Sequence, residues 1–141
     1  MEHLATLLER HPIVALHLAA ALLALAIGTA VMLRRKGTLD HKRLGWTWVV
    51  LMASVAVSSA FMRDYGLPNI AGYTPIHAFT AYVALALPWA IRRIRRGDVA
   101  GHRRVMRGMF YGACVVAGLF TLLPGRFLGN LLWKHTLHLF A

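Results

Sequence analysis

The chain has 141 residues, of which 58% are hydrophobic, and its mean hydropathy is +0.56. This is more apolar material than one small soluble core can bury, so the composition predicts an integral membrane protein. The formal net charge of +11 could indicate a nucleic-acid partner. We exclude that partner because most lysines and arginines fall in two short runs, 34–43 and 92–107, which is typical of the cytoplasmic loops of membrane proteins.

Four apolar stretches each approach the roughly 20 residues that a spanning helix needs. They cover residues 13–33, 44–62, 73–91 and 105–123. Because the connections between them are short, they predict one all-α domain over residues 1–141 that forms a four-helix transmembrane bundle. With both basic runs facing the cytoplasm, the two termini are expected on the outer side of the membrane.

The two ends of the chain are expected to lie on the membrane surface. Met1–Arg10 has an amphipathic pattern that indicates a short interfacial helix. After Pro124 and Gly125 end the fourth apolar stretch, residues 125–141 place leucines on one helical face and polar side chains on the other. This pattern predicts a C-terminal interfacial helix with Trp133 at the level of the lipid headgroups.

The two halves of the chain repeat one pattern of histidine, apolar helix, basic run and histidine. The first half carries His17 and His41, and the second half carries His77 and His102. The flanking sequences TLDHKR and VAGHRR align by position, which indicates a tandem repeat of a two-helix unit. The first and third helices run in the same direction, so we expect an outer pair, His17 and His77, and an inner pair, His41 and His102, at the cytoplasmic boundary.

Paired imidazoles on different helices are the axial ligands that a b-type haem requires. His17 and His77 are the first-choice ligands, because polar groups within apolar spans usually face the interior of the bundle. The inner pair is the second choice, and the chain could hold one haem or two. Cations beside the inner pair could neutralise the haem propionates, and the candidates are Arg43, Arg103 and Arg107.

Other readings of the histidines stay open. A zinc or copper site could involve His11, His135 or His138 at the outer face. The histidines could also hydrogen-bond between helices for packing, or respond to pH without binding any ligand. The apolar stretches contain no carboxylate, which argues against an acidic proton relay, and the chain has no motif typical of hydrolases or nucleotide-driven enzymes.

The stretches HKRLG, PIHAFTAYVALALP, GDVAGHRR and AGLFTLLPGR resemble a bacterial family of small membrane proteins classed as domain of unknown function 2306. The resemblance runs from about His17 to Gly129, and it implies a membrane fold and these histidine positions without an activity. In architecture the chain is also similar to four-helix cytochromes of the b561 type, which hold two haems between histidines and pass electrons across the bilayer. Likeness of fold does not establish function.

Two functional hypotheses follow from the sequence. In the first, the chain is an inner-membrane b-type haem protein that moves electrons between a donor, such as quinone or a periplasmic redox partner, and an acceptor. In the second, it is a non-enzymatic membrane module, either a subunit or assembly factor of a larger complex or a carrier of a small solute or metal. A haem absorption band would distinguish the two.

Overall fold

The computed structural model describes residues 12–62, 70–74, 77–123 and 129. Among these residues there are four helices and no β-strand. The elements are α1 (Pro12–Leu33), α2 (Leu39–Phe61), α3 (His77–Arg95), α4 (Val99–Met109), a π-helical segment (Phe110–Val116) and α5 (Ala117–Thr121). Because the backbone at their junctions stays right-handed helical, the last three form one continuous helix, which we call the fourth helix.

The four helices pack side by side around one core. α2 contacts both α1 and α3, and the fourth helix contacts α3 and α1. Every helix contributes to the buried cluster, and half of that cluster is alanine or valine. Its members are Ala24, Trp48, Met52, Ala56, Val83, Ala86, Leu87, Ala90, Met109 and Phe110.

Large apolar side chains lie on the outside of the helices. Leu16 is 63% exposed, Val50 is 61% exposed and Leu85 is 74% exposed. Small residues between helices and large apolar residues facing outward form the pattern expected when lipid surrounds the helices. Consistent with this, α1 and α2 are each long and apolar enough to cross a membrane.

The helix boundaries differ from the predicted spans where polar residues form caps or turns. α2 and the fourth helix begin earlier than the apolar stretches at 44–62 and 105–123, because side-chain caps start each helix within the basic run. α3 begins at His77 and not at Tyr73, because Ala71 and Gly72 have positive φ values and form a turn that pairs Ile70 with Tyr73. The predicted interfacial segments Met1–Arg10 and 125–141 lie outside the described residues, except for residue 129.

The first inner turn, residues 34–38, joins α1 to α2. Gly37 has a φ of 86°, a value that glycine adopts without strain. The Thr38 hydroxyl accepts a hydrogen bond from the His41 N–H at 3.2 Å and so caps α2. The Lys36 ammonium donates to the carbonyls of Val31 and Met32 at 2.9 and 2.6 Å, which satisfies the last turn of α1.

The second inner turn, residues 96–98, joins α3 to the fourth helix. The N–H groups of Gly97 and Asp98 bond to the Ile94 and Arg93 carbonyls, and Gly97 has a φ of 79°, which together form a Schellman motif. Asp98 then caps the fourth helix by accepting from the Gly101 N–H at 2.8 Å. Its carboxylate also pairs with Arg93. The sequence GDVAGH is therefore explained as a helix stop followed by a helix start.

Candidate functional site

His17 lies on α1, half-buried against α2. Its Nδ1 is 2.9 Å from the hydroxyl of Ser58, a residue that is itself buried. The one hydroxyl proton of Ser58 is directed to the Ser54 carbonyl at 2.7 Å, so the Ser58 oxygen accepts from Nδ1–H of His17. We therefore assign the lone pair of His17 to Nε2, and the ring also interacts with the Val55 backbone.

His77 is the first residue of α3, and both of its ring nitrogens are used by the backbone. Nε2 lies 3.0 Å from the Met62 carbonyl, and because a carbonyl only accepts, Nε2 carries the proton. Nδ1 accepts from the Thr74 N–H at 3.1 Å. The ring of Tyr73 packs edge-on at 5.1 Å. In this arrangement His77 ties the end of α2 to the start of α3, and iron could bind only after one of these bonds breaks.

The outer pair is therefore not joined by any described contact. His17 bonds to α2, whereas His77 bonds to the residues that connect α2 to α3. The first-choice ligands predicted from the sequence have separate hydrogen-bond partners that account for three of their four ring nitrogens.

His102 lies on the inner face of α4. Its Nδ1 is 2.9 Å from the carbonyl of Ala90, a fully buried residue of α3. Nδ1 must donate this bond, so the lone pair of His102 is on Nε2. A histidine that donates Nδ1–H to a carbonyl and presents Nε2 is the arrangement that most metal-ligating histidines adopt.

His41 lies in the first turn of α2 and completes the inner pair. Its Nδ1 is buried and has no hydrogen-bond partner among the described residues, whereas the ring also interacts with the Val31 backbone. Lys36 and His102 are close enough to His41 to act on its charge, so the two inner turns lie at the same end of the bundle. A buried polar atom without a partner is rare and calls for an explanation, such as an unseen ligand.

Open space adjoins His41 on its own helix. Gly45 lies one turn after His41, and a Cβ placed on Gly45 would meet no described atom within 4 Å. The spacing of four residues between His41 and Gly45 is a signal that the sequence analysis did not use. Among the described residues no group of three or more histidines, cysteines or acids could hold a metal.

The arginines predicted to neutralise propionates lie on other faces. Arg43, Arg103 and Arg107 are exposed. At roughly 100° per residue, Arg103 and Arg107 lie well away from the face of α4 that carries His102, and Arg43 lies opposite His41 on α2. The cation whose charge acts on His41 is Lys36, which the sequence analysis did not select.

The middle of the bundle is densely packed and separates the two histidine layers. The Trp48 indole N–H donates to the Ala24 carbonyl at 2.9 Å. A Cβ placed on Gly28 would come within 2.5 Å of Trp48 Nε1 and 2.8 Å of the Phe110 ring. The packing around Gly28 leaves no room for a ligand at this level of the bundle. The alternative metal site at His11, His135 or His138 lies outside the described residues.

Comparison with known proteins gives one match. A family model described as "Predicted membrane protein (DUF2306)" matches residues 14–129. A search of curated proteins and a search of solved structures each found no match.

Proposed function

The chain belongs to this family of membrane proteins, and from that premise we propose that it is a b-type haem protein of the bacterial inner membrane that carries single electrons. The observation that carries the proposal is the inner pair, in which His102 presents Nε2 and His41 has a buried nitrogen without a partner. We place one haem at this pair.

The residues around the inner pair fit a planar apolar group held between two imidazoles. The residues next to the pair are small: Ala90 contacts His102 through its carbonyl, and Gly45 lies one turn after His41. The Ala90 carbonyl fixes the ring of His102, which is the orienting contact that metal-ligating histidines need. Trp48 lies two turns along α2 from His41 and is 2% exposed, so apolar packing begins two turns from the pair.

When bound, haem supplies one-electron chemistry at a potential set by its ligands and surroundings. His41 and His102 would hold the haem iron. Lys36 would supply positive charge near a propionate, since it already acts electrostatically on His41. Buried alanines and Trp48 exclude water from the site. Quinone, which shares the bilayer, is the proposed electron partner, with a periplasmic redox protein as the alternative.

We prefer the inner pair to the outer pair as the haem site because a ligand there would break fewer existing hydrogen bonds. A ligand at His77 would have to replace the bond to the Met62 carbonyl or to the Thr74 N–H. A ligand at the inner pair would satisfy the orphan nitrogen of His41 and leave the His102 bond to Ala90 intact. Satisfying a buried polar atom stabilises the protein, whereas breaking a made bond costs free energy.

We also propose that all four helices cross the membrane with both termini in the periplasm. The two basic runs lie at the same end of the bundle, since His41 and His102 are close enough to interact electrostatically. That end faces the cytoplasm by the positive-inside rule. The outer faces of α3 and the fourth helix are apolar and would face lipid. Leu85 on α3 is 74% exposed, and Leu119 on the fourth helix is 61% exposed.

A second candidate function is a non-enzymatic subunit or assembly factor. The observation that favours it is the dense middle of the bundle, where Trp48, Met52 and Met109 are each at most 2% exposed. Such packing provides no path for a solute through the described part of the bundle. In this case the histidines serve only to join helices.

The proposal is tested by optical spectra of the protein purified in detergent from haem-replete cells. We expect a Soret band in the wild-type protein, with at least tenfold less haem in His41→Ala and in His102→Ala. His17→Ala is the matched control, since it also removes one imidazole from a helix, and it should retain haem. Colourless wild-type protein, or loss of haem in His17→Ala with retention in His102→Ala, would overturn the proposal.

A further inference from the structure

A surface at the start of the fourth helix concentrates positive charge. Ala100, Arg103, Arg104 and Arg107 line an open concavity of about 310 Å³, which we call the α4 concavity. Residues at this spacing share one face of a helix. That face points outward, whereas His102 and Met109 face the core.

The arginines of the α4 concavity have no ion-pair partner within the described residues, although Asp98 acts electrostatically on Arg104. Asp98 is the closest carboxylate in sequence, but it is committed to the Gly101 N–H and to Arg93. No described carboxylate forms an ion pair with any of the three arginines. Three guanidinium groups without an acidic partner favour an anion with several oxygens, which arginine binds through paired hydrogen bonds.

A second concavity, in the first half of the repeat, provides an internal comparison. It has a volume of about 300 Å³ and is lined by Arg34, Asp40, Arg43 and Leu44. Here the Asp40 carboxylate lies 3.6 Å from Arg34, so part of the positive charge is already paired. The two sites have similar size and different net charge, and this identifies the α4 concavity as the stronger anion site.

The surface that continues from the α4 concavity is apolar. Tyr111, Val116 and Leu119 follow along the fourth helix and are 50%, 51% and 61% exposed. A ligand with a phosphate at one end and hydrocarbon at the other would match both parts. In a family of membrane proteins, anionic phospholipid is the ligand with this chemistry.

We propose that the α4 concavity is a stoichiometric site for the headgroup phosphate of an anionic phospholipid. Arg103 and Arg107 hold the phosphate oxygens, Arg104 adds charge, and the acyl chains lie along the exposed apolar surface of the fourth helix. This inference does not depend on haem, since it concerns the outer face of a helix whose inner face carries His102.

The test uses the full-length protein in neutral detergent and native mass spectrometry with two lipids. Phosphatidylglycerol is the anionic probe, and phosphatidylcholine is the zwitterionic control with the same chains. We expect one phosphatidylglycerol to be retained by the wild type at least tenfold more tightly than phosphatidylcholine. Equal retention of the two lipids would overturn the proposal without any variant being made.

Two double variants with the same loss of charge locate the site. Arg103→Gln/Arg107→Gln should lower phosphatidylglycerol retention at least tenfold, whereas Arg34→Gln/Arg43→Gln should leave it within about twofold. Equal losses would show a response to net charge alone and would overturn the site. Inorganic phosphate at millimolar concentration should not displace the lipid. If it does, the ligand is a soluble phosphate and the lipid assignment is wrong.

Discussion

The first and second inner turns both use a glycine with positive φ followed by a capping side chain, but their caps are in different registers. Thr38 captures the N–H of His41, whereas Asp98 captures the N–H of Gly101. His41 is therefore the third residue of α2, and His102 is the fourth residue of its helix. Both histidines lie at the inner end of the bundle, although each has a different position relative to the cap of its helix.

This difference bears on why the histidines are there. A histidine that served only the cap would keep one position relative to it in both halves of the repeat. Instead, the cap register changes while an imidazole still reaches the inner end in each half. The comparison favours a role for the imidazoles that is separate from helix capping, as a shared ligand would require.

The halves also differ in how their buried residues are accommodated. Trp48 and Met109 each lie two turns after the histidine of their half, and both are buried. Trp48 needs Gly28 opposite it, because a Cβ there would come within 2.5 Å of its indole nitrogen. Met109 is unbranched and flexible, so it fills its space without such a glycine.

The largest effect on stability is expected from Gly28→Ala. The added methyl group would displace Trp48 and Phe110 within the core, and overpacking of this kind costs about 1–3 kcal/mol. Thermal unfolding in detergent, followed by circular dichroism, measures the loss. Gly118→Ala is the control in the second half, since its Cβ meets no described atom within 4 Å, and it should be neutral or stabilising. Equal effects of the two variants would contradict this packing account.

The next largest loss of stability is expected when the capping side chain of either inner turn is removed. Thr38→Ala should cost about 1 kcal/mol, the usual value for removal of an N-cap. Asp98→Ala should lower the melting temperature further, because it removes the cap and also the ion pair with Arg93. If Thr38→Ala were the more damaging variant, the two turns would not differ as described.

The pH dependence of stability separates two contributions of Asp98 in the second inner turn. One is the capping hydrogen bond, and the other is the negative charge of the carboxylate. The Gly101 N–H and then the Arg93 guanidinium hold the pKa of the Asp98 carboxyl below its ordinary value. A lowered pKa in the folded state means that this stabilisation is fully present above about pH 4 and is lost as the pH falls through the folded value. Asp98→Asn keeps a capping oxygen but does not titrate. The difference in melting temperature between wild type and Asp98→Asn should therefore narrow below about pH 4, and a constant difference would contradict this assignment.

The smallest effect is expected from Lys36→Met in the first inner turn. The Lys36 ammonium donates to the last carbonyls of α1, and such a cation at a helix C-terminus is worth about 0.3–1 kcal/mol. Chemical or thermal unfolding at low and high salt measures it, and the difference from wild type should shrink as salt rises. A salt-independent difference would indicate a packing role in place of an electrostatic one.

The sequence predicted the helices well because the apolar stretches are long and few. α1 and α2 match the first two predicted spans, except that α2 begins at Leu39, before residue 44, because Thr38 caps it. The start of α3 was predicted too early, since hydropathy does not register the turn made by positive φ at Ala71 and Gly72. Helix ends depend on such local backbone geometry, which composition does not reveal.

The candidate site was predictable in residue type but not in orientation. Sequence position gave His17 and His77 priority because they lie within apolar stretches, but it could not show that Met62 and Thr74 occupy both nitrogens of His77. Proximity in sequence also suggested Arg103 and Arg107 as partners of His102, whereas the helix turns them to the outside. Which face a side chain occupies follows from the cap register, and that register differs between the halves.

We propose that two imidazoles, from α2 and the fourth helix, hold one iron at the inner end. Electron paramagnetic resonance of the oxidised protein tests it most directly, because two strong nitrogen ligands make ferric haem low-spin. We expect a low-spin signal in the wild type and in His17→Ala, and its loss or conversion to high-spin in His102→Ala. A low-spin signal that survives in His102→Ala, or no haem signal in the wild type, would contradict the account.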